Sequence, residues 1–109
     1  MTKITIKRNK NGHEIICDGH AYEAHGADGN LVCAAVSTIA QTIAYYLYHN
    51  TSKARIDNIT IKDGFFSASY ITDCDDIKNG VEAILSGFSL ISDSYPDIVK
   101  ISEHGKQSS

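Results

Sequence analysis

Residues 17–37 read Cys17-Asp18-Gly19-His20-Ala21-Tyr22-Glu23-Ala24-His25-Gly26-Ala27-Asp28-Gly29-Asn30-Leu31-Val32-Cys33-Ala34-Ala35-Val36-Ser37. The stretch joins a strand pattern to a helix pattern. It holds two of the three cysteines, two of the five histidines and three of the eight glycines, so any chemistry legible in the chain is legible here. Upstream, His13-Glu14-Ile15-Ile16-Cys17 has the alternation of a strand that Asp18 and Gly19 end, leaving His20 just past a strand terminus. Ala21 to Gly29 carries Gly26 and Gly29 and no β-branched residue, and is predicted to be a mobile loop. Asn30 suits an N-cap, which puts Leu31, Val32 and Cys33 in the first helical turn.

The flanks follow from the same two periodicities. Ile4 and Ile6 alternate with Lys3, Thr5 and Lys7 as a half-buried strand, and Asn11-Gly12 is a hairpin signal of the kind that tolerates positive φ. From Val32, apolar residues recur at Val36, Ile39, Ile43 and Leu47, with Ser37, Gln41 and Tyr45 as a more polar stripe; His49-Asn50 marks the helix end. Ile56, Ile59 and Ile61 read as a third strand, Asp63-Gly64 as a second hairpin turn, and Phe65 to Ile71 as its return with Phe66, Ala68 and Tyr70 on one face. Asp73, Asp75 and Asp76 crowd the start of a second helix. Its stripe is Ile77, Val81, Ile84, Leu85, Phe88 and Ile91, interrupted by Gly80 and Gly87 and stopped at Tyr95-Pro96. Ile98, Val99 and Ile101 form a last strand. The predicted architecture is α+β, β-β-α-β-β-α-β, a mixed or antiparallel sheet packed with two helices. Residues 1–103 are read as a single domain and residues 104–109 as a polar, disordered tail.

With 109 residues, 10 Lys+Arg, 13 Asp+Glu and a net charge of −3, the chain has room for one core and lacks the basic field that binds phosphate backbones. No nucleic-acid partner is predicted on that ground. Three cysteines and a start without a basic segment followed by an apolar one predict a cytoplasmic protein with reduced thiols. Leu31 to His49 contains no Asp, Glu, Lys or Arg and is long enough to span a membrane. Ser37, Thr38, Gln41 and Thr42 interrupt it, so it reads as a buried core helix and no membrane partner is predicted.

A cysteine attacks as the thiolate, which a helix N-terminus or a histidinium stabilises. Cys33 is placed for the first by its position and His20 can supply the second. His20 then takes the thiol proton, Cys33 attacks a carbonyl, and backbone amides near Leu31 to Ala34 stabilise the oxyanion. His25 is a rival base. The alternative for Cys33 is a small apolar residue on a buried helix. Cys17 alternates with Ile15 and reads as core, and Cys74 as a half-exposed thiol at a helix start. Cys17, His20, His25 and Cys33 include the donor types of a zinc site, but their spacings match no common zinc motif; Asp73, Asp75 and Asp76 lack a calcium-loop pattern. No P-loop, G-x-G-x-x-G or G-x-S-x-G occurs, and no cofactor or metal is predicted.

Gly19-His20-Ala21 followed by Leu31-Val32-Cys33-Ala34-Ala35-Val36-Ser37 resembles the paired G-H-A and D-I-V-C-A-A-V-S motifs of the Prp family, ribosomal-processing cysteine proteases of Firmicutes and related bacteria. The likeness extends through the first hairpin and the second helix to Tyr95-Pro96-Asp97-Ile98-Val99. It implies a cytoplasmic, homodimeric endopeptidase that removes the N-terminal extension of a large-subunit ribosomal protein, the twenty-seventh of the L series, cutting after an aromatic pair. It implies Cys33 as nucleophile, His20 as base, Asn30 and Ser37 in support, and a substrate-gating loop containing Ala21, Tyr22, His25, Gly26 and Gly29. Two departures stand out: Asn30 replaces the family's usual Asp, and the loop carries Tyr22, Glu23, His25 and Ala27 where a sparser glycine-rich stretch is usual. The other readings are a dimeric peptide-binding module without catalysis, a protease for another protein substrate such as a phage protein, and a zinc-binding regulator.

Overall fold

The computed structural model describes residues 1–19 and 22–105, with residues 22–25 described by backbone alone. The order is β1 (Thr2–Asn9), β2 (Gly12–Asp18), α1 (Tyr22–Tyr48), β3 (Ala54–Lys62), β4 (Phe65–Thr72), α2 (Asp75–Ser94) and β5 (Val99–His104), as the periodicities predict. The five strands form one mixed sheet in the order β3-β4-β2-β1-β5, in which only β1 and β5 run parallel. β5 takes in His104, which the sequence pattern alone places in the tail, and residues 106–109 lie outside the described residues.

Register explains why one face of the sheet is covered. Ile4 opposes Cys17, Ile6 opposes Ile15, Ile15 opposes Ala68, Cys17 opposes Phe66 and His13 opposes Tyr70, so all of these side chains leave the same face. They are buried together with Val32, Val36, Ile43 and Leu47 of α1 and with Ile77, Val81, Leu85 and Phe88 of α2. Lys3, Thr5, Lys7, Glu14, Ser67 and Ser69 alternate with them toward the opposite face. By length and composition α1 could cross a membrane, but here its apolar stripe is part of the core.

Two turn expectations resolve differently. Asp63-Gly64 turns as expected, with Gly64 at φ 73°. At the first hairpin the turn residues are Lys10 and Asn11, and no residue there has positive φ. Gly12 is needed for space instead: a Cβ would lie 2.2 Å from the Tyr70 carbonyl oxygen. Close approach also accounts for the glycines that interrupt α2, since a Cβ at Gly80 would lie 2.2 Å from the Tyr46 hydroxyl and one at Gly87 would lie 3.0 Å from Ile39. The helices cross where those side chains are missing.

The region before Cys33 departs from the sequence expectation. The predicted loop of residues 21–29 and the N-cap at Asn30 are replaced, from Tyr22 onward, by helix. Gly26 (φ 61°, ψ −130°) breaks its regularity and separates a first short turn from the long segment. Asn30 is an exposed residue inside that segment, and Gly29 is buried. The glycines signalled a break correctly in kind, but one glycine with positive φ is enough to make a kink, and the chain resumes the helix after it.

Candidate active site

Cys33 and Ser37 lie one turn apart on the same side of α1, and both border a cavity of about 310 Å³. The cavity opens between α1 and the end of the sheet. α1 contributes Cys33, Ala34, Val36, Ser37, Ala40 and Gln41; the tip of the β3–β4 hairpin contributes Ile61 to Phe66. Cys17, Gly19 and Thr2 close it from the central strands. Cys33 is half-buried and packs against the core on one side. Ser37 is exposed, and its Oγ accepts a hydrogen bond of 2.8 Å from Gln41 Nε2. That bond occupies an acceptor site on the hydroxyl and leaves its proton able to point at a bound group.

The end of β2 is fixed to the same wall. Gly19 has φ 109°, its N–H donates to the Gly64 carbonyl at 2.9 Å, and a Cβ would come within 2.4 Å of the Met1 carbonyl oxygen. Only glycine passes between the N-terminus and the hairpin tip in this conformation. Gly19 thus brings the chain to the edge of the cavity at the residue immediately before His20. His20 and Ala21, together with the side chains of Tyr22 and His25, lie outside the described residues.

The other cysteines separate cleanly from Cys33. Cys17 is 5% exposed on the cavity floor, and burial pushes its thiol up to about 12, so it stays protonated at neutral pH. Cys74 occupies the N-cap position of α2, where its N–H is bonded to Thr72 Oγ1 at 3.0 Å. It follows the far end of β4, six residues or roughly 20 Å from Phe66. Among the described residues no three His, Cys, Asp or Glu side chains converge as a metal site would require.

The kinked helix corrects one element of the chemistry. The long segment of α1 begins near Gly26, seven residues and roughly 10 Å before Cys33. Cys33 is not a first-turn residue, and the amides of Leu31 to Ala34 belong to the helical hydrogen-bond ladder instead of facing an oxyanion. Among the described residues, the Ser37 hydroxyl, one turn from Cys33, is a donor with free capacity.

Sequence reasoning missed two groups. Thr2 and the hairpin tip reach the cavity only through the fold, although Thr2 shares the parity of Ile4 and Ile6. At the opposite end of β2, His13 is 4% exposed and bridges Tyr70 Oη (2.5 Å from Nδ1) and Glu82 Oε2 (2.5 Å from Nε2). Glu82 also receives Arg8 Nε at 2.7 Å and Nη2 at 3.0 Å, and Arg8 Nη1 bonds Glu103 at 2.8 Å. Burial holds His13 below its usual range despite Glu82, so the neutral ring donates from Nε2 to Glu82 and accepts from Tyr70 at Nδ1. Burial pushes the Glu82 carboxyl up, but its bonds from Arg8 and His13 outweigh this and hold it below the usual range.

A family model described as cysteine protease Prp matches residues 1–100. Two structures of the essential ribosomal processing protease Prp from S. aureus align with the chain at TM-score 0.78. One carries a covalently linked product peptide (25% identity, covering 94% of this chain and 99% of that one); the other carries a substrate peptide (23% identity, the same coverage). SMU.848 from Streptococcus mutans shares the fold at TM-score 0.72 and 21% identity, covering 97% and 96% of the two chains. No curated protein matches the chain.

Proposed function

The chain belongs to the cysteine protease Prp family and is a cysteine protease, and from that premise we propose that it is an endopeptidase using Cys33 as nucleophile and His20 as general base. The carrying observation is that Cys33 and Gly19, the residue before His20, border one cavity, with Cys17 inert on its floor. In the proposed reaction His20 removes the Cys33 proton and the thiolate attacks the scissile carbonyl. The imidazolium then protonates the departing amine, and water, activated by the same histidine, hydrolyses the thioester. Cys33 stands beyond the first turn of the long segment of α1, so thiolate formation falls to His20, and the Ser37 hydroxyl donates to the substrate carbonyl or to the oxyanion. Gly26 supplies the joint by which the first turn, with Tyr22 and His25, moves over a bound peptide. Gly29 and Asn30 continue the helix that carries Cys33.

The proposed substrate is the N-terminal extension of the twenty-seventh large-subunit ribosomal protein, processed in the cytoplasm. The S. aureus relative is a ribosomal processing protease seen with substrate and product peptides. A homodimer is part of the same proposal: the solvent side of α1 exposes Leu31, Tyr45 and Tyr48 in a stretch without a charged residue, a surface suited to self-association. The test is incubation of wild type, Cys33→Ala and His20→Ala with a peptide spanning that extension, with products identified by mass. Wild type cuts once, Cys33→Ala does not cut, and His20→Ala is slowed by at least about a hundredfold. Equal cleavage by wild type and Cys33→Ala, or no cleavage by either, refutes the assignment.

A further inference from the structure

Cys33, Ser37 and Gln41 follow one another at intervals of four residues along α1, and all three border the cavity. Other hydroxyls on the helices share a common pattern. Thr38 Oγ1 donates to the Ala34 carbonyl at 2.8 Å, Thr42 Oγ1 to the Thr38 carbonyl at 2.7 Å and, in α2, Ser94 Oγ to the Leu90 carbonyl at 2.9 Å. Each is turned back onto its own helix, four residues upstream. Ser37 departs from that pattern. Among the described residues its side-chain bond is the one it accepts from Gln41 Nε2 at 2.8 Å, and its hydroxyl makes no bond to the Cys33 carbonyl.

The bond has a direction. Long helical side chains lean toward the N-terminus, which brings the Gln41 amide back over the turn that carries Ser37. Its N–H therefore reaches Ser37 Oγ from the C-terminal side, and the hydroxyl proton, at a tetrahedral angle to that bond, is left to the cavity and the Cys33 side. For helix stability alone an exposed pair of this kind contributes little, and a serine bonded to its own backbone has no proton to offer a ligand. We propose that Gln41 is a positioning residue of the reaction: its amide holds Ser37 Oγ clear of the helix backbone, so that the Ser37 hydroxyl is offered as a hydrogen-bond donor to the oxygen of the carbonyl that Cys33 attacks. The inference rests on Cys33 as the nucleophile and deepens that reading. The contribution of the bond is greatest in the transition state, because negative charge gathers on that oxygen as the carbon–sulfur bond forms.

The test compares wild type, Gln41→Met, Ser37→Ala and the double variant on the peptide spanning the ribosomal-protein extension, at neutral pH, with Cys33→Ala as the blank. Methionine keeps the length of the side chain and removes the N–H. Gln41→Met lowers kcat about fivefold, the worth of one neutral hydrogen bond, with KM within about twofold of wild type. In the Ser37→Ala background the same change alters kcat by less than about twofold, because the group it acts through is gone. Gln41→Glu loses more than Gln41→Met: a carboxylate accepts and does not donate, so it draws the Ser37 proton to itself. Urea midpoints of all variants stay close to that of wild type, since both side chains are exposed. With Cys33-dependent cleavage in hand, the protease reading stands and the inference is overturned by any one of three results: an unchanged kcat in Gln41→Met, an equal loss with and without Ser37, or Gln41→Glu at least as active as Gln41→Met. If wild type does not cut in a Cys33-dependent way, the protease reading falls and the inference falls with it.

Discussion

Replacing Glu82 by Gln tests the polar cluster of His13, Arg8 and Glu82 and its separation from the proposed active site. Arg8 and Glu82 are 14% and 17% exposed at their side chains and are joined by two hydrogen bonds, at 2.7 and 3.0 Å, while Glu82 also takes the bond from His13. Glutamine keeps the shape but removes the charge, and it brings one amide N–H₂ group against N–H donors of Arg8 or His13 whichever way it is turned. Breaking a buried ion pair costs about 3–5 kcal/mol. Glu103, 2.8 Å from Arg8 Nη1, leaves the guanidinium a counter-charge, which brings the expected loss to about 2–3 kcal/mol. For a chain of this length that lowers the Tm by roughly 10–20 °C, read by thermal denaturation at pH 7. His13 is four residues, roughly 13 Å, from Cys17 along β2. The kcat/KM of the folded variant at 20 °C should therefore match wild type. A Tm within 3 °C or so of wild type would refute the account of the cluster, and an unchanged Tm with lost activity would place it in catalysis.

Other consequences of the structure are equally open to measurement. His13 is held below its usual range, so the unfolded chain binds its proton first; stability falls as the pH drops below 6.5, by at most about 1.4 kcal/mol per pH unit from this group, until the folded ring protonates too. Glu82 adds a second loss in the same direction below 4.5. Urea midpoints from pH 7.5 to 5 should show the slope in wild type and lose the histidine part of it in His13→Asn. Gly12→Ala drives a Cβ into the Tyr70 carbonyl and should cost about 3 kcal/mol, whereas Gly26→Ala, with no atom of the described residues within 4 Å of its Cβ, meets the backbone preference against φ 61° and costs about 1–2 kcal/mol. Native alkylation at pH 8 followed by peptide mass analysis should modify Cys33 and leave Cys17 intact; modification of Cys17 at the rate of Cys33 would contradict its burial and its raised thiol.

The sequence by itself determined the elements and their faces. Strand alternation at Ile4/Ile6, Ile15/Cys17 and Phe66/Ala68/Tyr70, and the stripes of α1 and α2, are consequences of local geometry: a period of two or 3.6 shows in the residue order whatever the elements pack against. The same order pointed to Cys33 as the candidate thiol and left His20 and His25 as candidate bases, because a strand end, glycines and a helix lie consecutively in the chain; the choice of His20 came from the likeness to the Prp motifs. Contacts between distant segments decided the rest. Gly12, Gly80 and Gly87 look like turn or weakening residues in sequence, and their actual constraint is a neighbour from another element. Asn30 has the composition of a cap, but the helix begins eight residues earlier, since the helical ladder resumes after the single break at Gly26. The His13–Glu82–Arg8 cluster joins residues 69 and 74 positions apart, and no local pattern announces such pairs. The wall of the cavity beside Cys33 is of the same kind: Gly19, Thr2 and the β3–β4 tip become its neighbours only when the sheet places β2 between β1 and β4 beneath α1. A strand pattern can say that Thr2 belongs to the inward face; only the assembled sheet decides that this residue borders a cavity.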